Sequence, residues 1–260
     1  MGVVARLIMF PNVESKLNTL KKLEEFASRG ERKVYDEIRL FNEEYKLDLK
    51  IKLLFLVERY AQQRLPQVGR GYEGLGSEMF KISVDVPVEL NSLEGTWRVK
   101  ESMSVYLAHY TIPEVENVGI MLSERANKAI RYALNALRKT DIRLYDTIIQ
   151  LSRRPNIKEV LKELGEVGWI WIGDIKDTHL REVGMYGRRL QNSEVVEDLL
   201  TRGGRVKATI IKNDELGMRI TLSEKGTMYS QVDIEPQTMA LGLTNFVKIL
   251  KKHRLIDIKQ

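Results

Sequence analysis

Between Arg205 and Tyr229, cations, hydroxyls and an aromatic ring recur at strand spacing. Arg205, Lys207 and Thr209 form one run, Arg219 and Thr221 a second, and Tyr229 a third. A period of two puts such residues on one face of a strand. Guanidinium and ammonium groups meet phosphates, hydroxyls hydrogen-bond, and tyrosine stacks on a base or a sugar. An earlier set repeats the pattern with Lys50 and Lys52, then Arg98 and Lys100, then Tyr106. Lys81, Ser83, Ser102 and Ser104 fall at the same period. An ordinary solvated antiparallel face carries the same Lys, Arg and Thr. A binding role therefore requires that the cations gather into one continuous uncovered surface.

The stretch AQQRLPQVGRGYEGLGS, 61–77, is rich in glycine. It lacks the Gly-Lys-Ser/Thr ending of a P-loop and does not open a helix as a dinucleotide fingerprint does. A hairpin tip is the expectation. As a contact device it becomes a flexible arm in which Arg64, Arg70 and Tyr72 reach a nucleic-acid backbone. Catalytic chemistry finds less support. The chain has no cysteine, which excludes disulfides, thiolate metal sites and Cys nucleophiles. His109, His179 and His253 are scattered without metal-ligand spacing. Glu101 falls on the apolar side of its strand with His109 eight residues on, and Asp48-Leu-Lys50 has the Asp-x-Lys spacing of some metal nucleases without a preceding partner Asp. No triad and no metal cluster emerges, so neither a catalytic residue, a metal nor a cofactor is assigned.

The elements that position these groups follow from hydrophobic period. Val3 to Phe10 predicts a strand and Val13 to Ser28 a helix. A second helix is expected after Gly30, with Val34, Ile38, Phe41 and Tyr45 inward. Alternation predicts strands over 47–57, 80–90 and 97–107, and Ser123-Glu124 caps a helix to about Lys139. Helices are expected over 141–153 and 156–164, split by Pro155. Trp169 to Ile172 predicts a strand on which Trp169 and Trp171 form a buried core pair. A broken helix is expected over 178–190, and Ser193 caps another that ends at Gly203-Gly204. In the closing strands Val206, Ala208 and Ile210 should face the core, leaving Thr209 and Ile211 on the polar side. Met239, Leu243, Phe246, Val247 and Leu250 lie on the covering helix, which Pro236 opens. Arg188-Arg189 and Arg153-Arg154 stand as basic pairs.

The two halves share an order of strand, helices, three strands and helix. The expected fold class is α+β, with two tandem units, each an antiparallel sheet covered by helices on one face. The first unit spans 1–140, a helical linker 141–165, and the second unit 166–260. The stretch RVKATIIKNDELGMRITLSEKGTMYSQVDIEPQTMALGLTNFVKILKKH, with Ser223-Glu224-Lys225-Gly226 as a Ser-x-x-Gly turn, resembles the latter part of one repeat of the TATA-box-binding protein family. The resemblance implies a saddle-like sheet that binds DNA. The family's paired phenylalanine wedges have no clear counterpart; Ile211 and Tyr229 are the nearest bulky residues.

The chain has 260 residues, 42 Lys and Arg against 36 Asp and Glu, for a net charge of +6. A modest positive excess favours a polyanion partner. No apolar run approaches a membrane span, a signal peptide is not expected, and a cytoplasmic location is. Rich Lys, Glu, Arg and Ile with no Cys would suit a thermophile. The leading expectation is nucleic-acid binding, DNA more than RNA. A protein partner, in an interaction or assembly role, is the alternative, and a metal-dependent nuclease the third.

Overall fold

The computed structural model describes residues 2–42, 47–60, 75–76, 78–92, 95–124, 127–151, 157–213, 217–232 and 234–258. Its centre is β1 (Val3–Met9), a strand buried on both faces. Val3, Ala5 and Leu7 enter one hydrophobic core, and Val4 and Ile8 enter another. Continuous burial explains why this strand reads as an unbroken apolar run rather than an alternating one.

One edge of β1 pairs with β6 (Val118–Ser123). From there the sheet runs outward through β5 (Gly95–His109), β4 (Phe80–Ser92), β3 (Leu47–Arg59) and β2 (Lys33–Asn42). The other edge pairs with β12 (Thr227–Ser230) and, further along, with β7 (Tyr145–Ile149). Beyond β12 come β11 (Met218–Ser223), β10 (Arg205–Asn213), β8 (Glu166–Gly173) and β9 (Val183–Tyr186). β13 (Ile256–Ile258) pairs with β7. All the pairings are antiparallel, and the thirteen strands form one sheet rather than two.

The helices sit on opposite faces of that sheet. α1 (Val13–Arg29) and α2 (Asn127–Lys139) bury Leu20, Leu23, Ile130, Ala133 and Leu137 against Phe55, Ile82, Val84 and Leu107 of the first half. α3 (Ile157–Leu164), α4 (Glu194–Thr201), α5 (Pro236–Gly242) and α6 (Thr244–Lys252) cover the reverse face over the second half, where Ile170, Val206, Ile220 and Leu222 point. Local signals fix the helix ends. The Asn12 side chain accepts from the Ser15 amide at 2.7 Å, and Gly30 closes α1 in the left-handed region at φ 63°. Pro236 opens α5 as expected.

Three sequence expectations are overturned. Residues 33–42 form β2 instead of a helix, and Tyr145–Ile149 is a strand within the expected linker. Val183–Tyr186 forms β9 where a broken helix was expected. Tyr145–Ile149 and Val183–Tyr186 are short of helix formers, and all three segments carry β-branched or aromatic residues and pair with neighbouring strands, so tertiary pairing overrides a weak helical period. Antiparallel sheet and helices together bear out the α+β class. Among the described residues no helix is long and apolar enough to cross a membrane.

Candidate nucleic-acid interface

A one-residue irregularity decides which side chains reach the open face of the second half. Val206 pairs with Ile172, but Ala208 pairs with Trp171, so Lys207 is an extra residue, a β-bulge. A slip of one flips every later side chain. Thr209 and Ile211 therefore face the core, both fully buried, and Ala208 and Ile210 face outward. The Thr209 hydroxyl donates to the Trp169 carbonyl at 2.9 Å. This corrects the expected placement of Thr209 on the polar side. A second shift between Ile210 and Ile211 accommodates Gly168 on β8.

The same register lifts Trp169 and Trp171 out of the expected core. Ile170 and Ile172 take the buried positions, and Trp171 is 38% exposed. Directly opposite residues share a face, which gives a row running across five strands: Tyr186, Trp169, Ile210, Thr221 and Tyr229. Beside it runs a polar row of Glu166, Lys212 and Arg219. Arg219 and Thr221 are two residues apart, so the rows lie roughly 7 Å from each other. That is about the reach from a nucleobase to its own phosphate.

These rows and the loop after β9 enclose a cleft of about 830 Å³. Among the described residues its lining carries Arg188, Arg189, Lys212 and Arg219 against one carboxylate, Glu166, together with Trp169, Tyr186 and Ile210. The loop is fixed at both ends. The Gly187 amide donates to the Gly168 carbonyl at 3.1 Å, and Leu190 is buried behind it. The buried Gln191 side chain accepts from the Val167 amide at 3.0 Å and donates to the Gly165 carbonyl. Arg189 is held with φ 54°, a left-handed conformation that costs a non-glycine residue roughly 1–2 kcal/mol. Backbone strain of this kind is retained where the surroundings impose it, often at functional positions.

Comparison with protein-family models gives no match, and no curated protein is significantly similar to the chain.

Ion pairing separates the available cations from the occupied ones. Arg188, Arg189 and Arg219 make no ion pair with a described residue. Lys207 lies 2.7 Å from Asp174 and 3.4 Å from Glu224, which raise its pKa, and Arg205 also faces Asp174. In the first half Lys100 bonds Asp85 at 3.0 Å. Lys50 and Lys52 are exposed there.

Of the two expected tyrosine contacts among the described residues, one is otherwise occupied. Tyr106 is buried, packs edge-on against Tyr60 at 5.0 Å and donates to Glu124, so its ring is closed to a stacking partner. Burial, with Glu124 second, pushes its hydroxyl up to about 12. Tyr229 keeps its place on the open face beside Thr221. Arg64, Arg70 and Tyr72 lie outside the described residues, as does the side chain of Arg98.

The two open faces point in opposite directions. Lys50, Lys52, Lys81 and Lys100 alternate with Leu53, Ile82 and Val105, so they lie on the side that α5 and α6 cover further along. Arg219, Thr221 and Tyr229 lie on the side that α1 and α2 cover. The one continuous cationic surface expected from the sequence therefore does not form: the set divides between two faces, and cations gather around a common cleft on the second-half face, at Arg188, Arg189, Lys212 and Arg219.

Proposed function

We propose that the protein binds nucleic acid, DNA in preference to RNA, through the cleft face of its second half. The observation that carries this reading is the cleft's composition among the described residues: four cations against one carboxylate, beside the exposed Tyr186 ring and the partly exposed Trp169 ring. Cations of this density supply affinity for phosphate through counterion release. Aromatic faces add contacts that a merely solvated sheet does not need. The helices' positions support reading 1–140 and 166–260 as two helix-on-sheet units joined edge to edge in one sheet, with a saddle-like likeness limited to the second. Lys50 and Lys52 form a separate, smaller basic face.

The test is a salt titration of binding to a labelled oligonucleotide. Affinity should fall steeply with salt, by a log–log slope of about −0.7 to −0.9 for each phosphate neutralised. Arg219→Gln should reduce the slope by about one. Binding that ignores salt, or an unchanged slope in the variant, contradicts the reading.

A further inference from the structure

We infer that the cleft holds an unpaired base of single-stranded DNA, stacked on Trp169 and Tyr186. This rests on the nucleic-acid reading above and narrows it. The two rings face the same side of neighbouring strands, 6.1 Å between centroids and tilted by 45°. Tyr186 is 82% exposed, yet its strand is fixed by pairing to β8, so an apolar surface is displayed on a rigid element. Gly184 sits beside this pair: a Cβ built there would come 3.8 Å from the Trp169 ring nitrogen, so glycine at this position adds no side chain next to the indole.

In a duplex both faces of every base are already stacked on neighbours. An aromatic side chain gains access only by unstacking a step or by flipping the base out, each at a cost of a few kcal/mol. The cleft has about 830 Å³, within the roughly 300–1,000 Å³ of sites that enclose one small ligand. That suits a nucleotide or two, not the width of a double helix. A base over the ring pair brings its phosphate toward the basic row on Lys212 and Arg219, and Arg188 and Arg189 line the same cleft. The strand's negative charge complements these cations, and neighbouring phosphates continue along them. No serine, threonine, asparagine or glutamine lines the cleft among the described residues. Its carboxylate, Glu166, faces Lys212 across the strand pair. A ribose 2′-hydroxyl, the mark of RNA, thus finds little to recognise it, and deoxyribose is the sugar assigned.

Fluorescence anisotropy at low salt with four probes tests this. They are a labelled 12-nucleotide DNA strand of mixed sequence, the same strand annealed to its complement, the RNA of that sequence, and dAMP as competitor. The single DNA strand should bind at least ten-fold more tightly than the duplex, and no more weakly than the RNA. Millimolar dAMP should fail to displace it. Tyr186→Ala, at an exposed position, should weaken the single strand about ten-fold and the duplex less than two-fold. Trp169→Phe keeps a ring and should retain most of the affinity.

Equal or tighter duplex binding, tighter RNA binding, displacement by dAMP, or an unaffected Tyr186→Ala variant overturns the single-strand assignment and leaves nucleic-acid binding standing. Failure of every probe to bind overturns both.

Discussion

Trp169 and Tyr186 stand directly opposite each other on β8 and β9, on the uncovered side of the sheet. Their neighbours Ile170 and Met185 point into the core, so the pair is fixed by burial beneath it rather than by contacts of its own. The consequence is separability: ring chemistry at this spot can be altered without dismantling the fold. Tyr186→Ala should change the unfolding free energy measured in urea by no more than ordinary surface substitutions do, about 0.5 kcal/mol. A loss several times larger would show that the ring is structural.

Thr209 gives the complementary case. Thr209→Val removes the hydroxyl that donates to the Trp169 carbonyl but retains the shape of the buried side chain. A loss of about 1 kcal/mol in chemical denaturation is expected, with oligonucleotide affinity unchanged. A large affinity loss with normal stability would place Thr209 at the surface and refute the bulge-shifted register.

Arg6 and Asp146 form an ion pair of 2.8 Å with side-chain exposures of 4% and 11%. Arg6 also donates to the Asn127 side chain and the Lys225 carbonyl, so the guanidinium joins β1, β7, α2 and the turn before β12. Burial lowers its pKa, opposed by Asp146. Asp146→Ala leaves that cation uncompensated and should cost about 3–5 kcal/mol. Arg6→Met combined with Asp146→Leu should cost less than Asp146→Ala alone, measured by equilibrium unfolding.

His109 sets a pH dependence. It is buried against Gly76, where a built Cβ would come 2.1 Å from the ring, and burial followed by the nearby Lys16 charge lowers its pKa to about 4. The unfolded imidazole takes up its proton near pH 6.5, so between those values the unfolded state binds more protons. Stability therefore declines as pH falls from 6.5 toward 4 and levels off below. This single group should remove about 2 kcal/mol between pH 7.5 and pH 5. Comparing His109→Asn with the parent over that interval isolates the effect. Parallel pH curves would assign the decline to carboxylates instead.

Gly226 adopts φ +77°, and a Cβ there would lie 2.4 Å from the Thr147 carbonyl oxygen. Gly226→Ala combines left-handed strain with a backbone clash and should cost about 2–4 kcal/mol in thermal or chemical unfolding. A cost below 0.5 kcal/mol would mean that the turn does not press on β7.

The sequence made much of this legible where alternation was uninterrupted. Phe80, Ile82 and Val84 announce β4, and Met218, Ile220 and Leu222 announce the buried face of β11, leaving Arg219 and Thr221 outside. The helix ends at Gly30 and Pro236 were equally plain. Thr209 was misplaced because a β-bulge has no signature in composition; Lys207 looks like any other strand residue. Trp169 and Trp171 were misplaced because their strand is apolar on both faces. The β-branched Ile170 and Ile172 on the alternate positions were the available hint. Arg188 and Arg189 were visible only as a basic pair, since their setting depends on the Gly187 turn against Gly168. That the two polar faces look opposite ways follows from how β12 joins β1, a long-range pairing that no local pattern encodes.

The switch of helical cover from one side of the sheet to the other makes the molecule two-fronted. A strand lying along Arg219 cannot pass onto Lys52 without rounding a sheet margin. The smaller front stands back to back with the larger, so side chains on one can be substituted without altering the surface chemistry of the other.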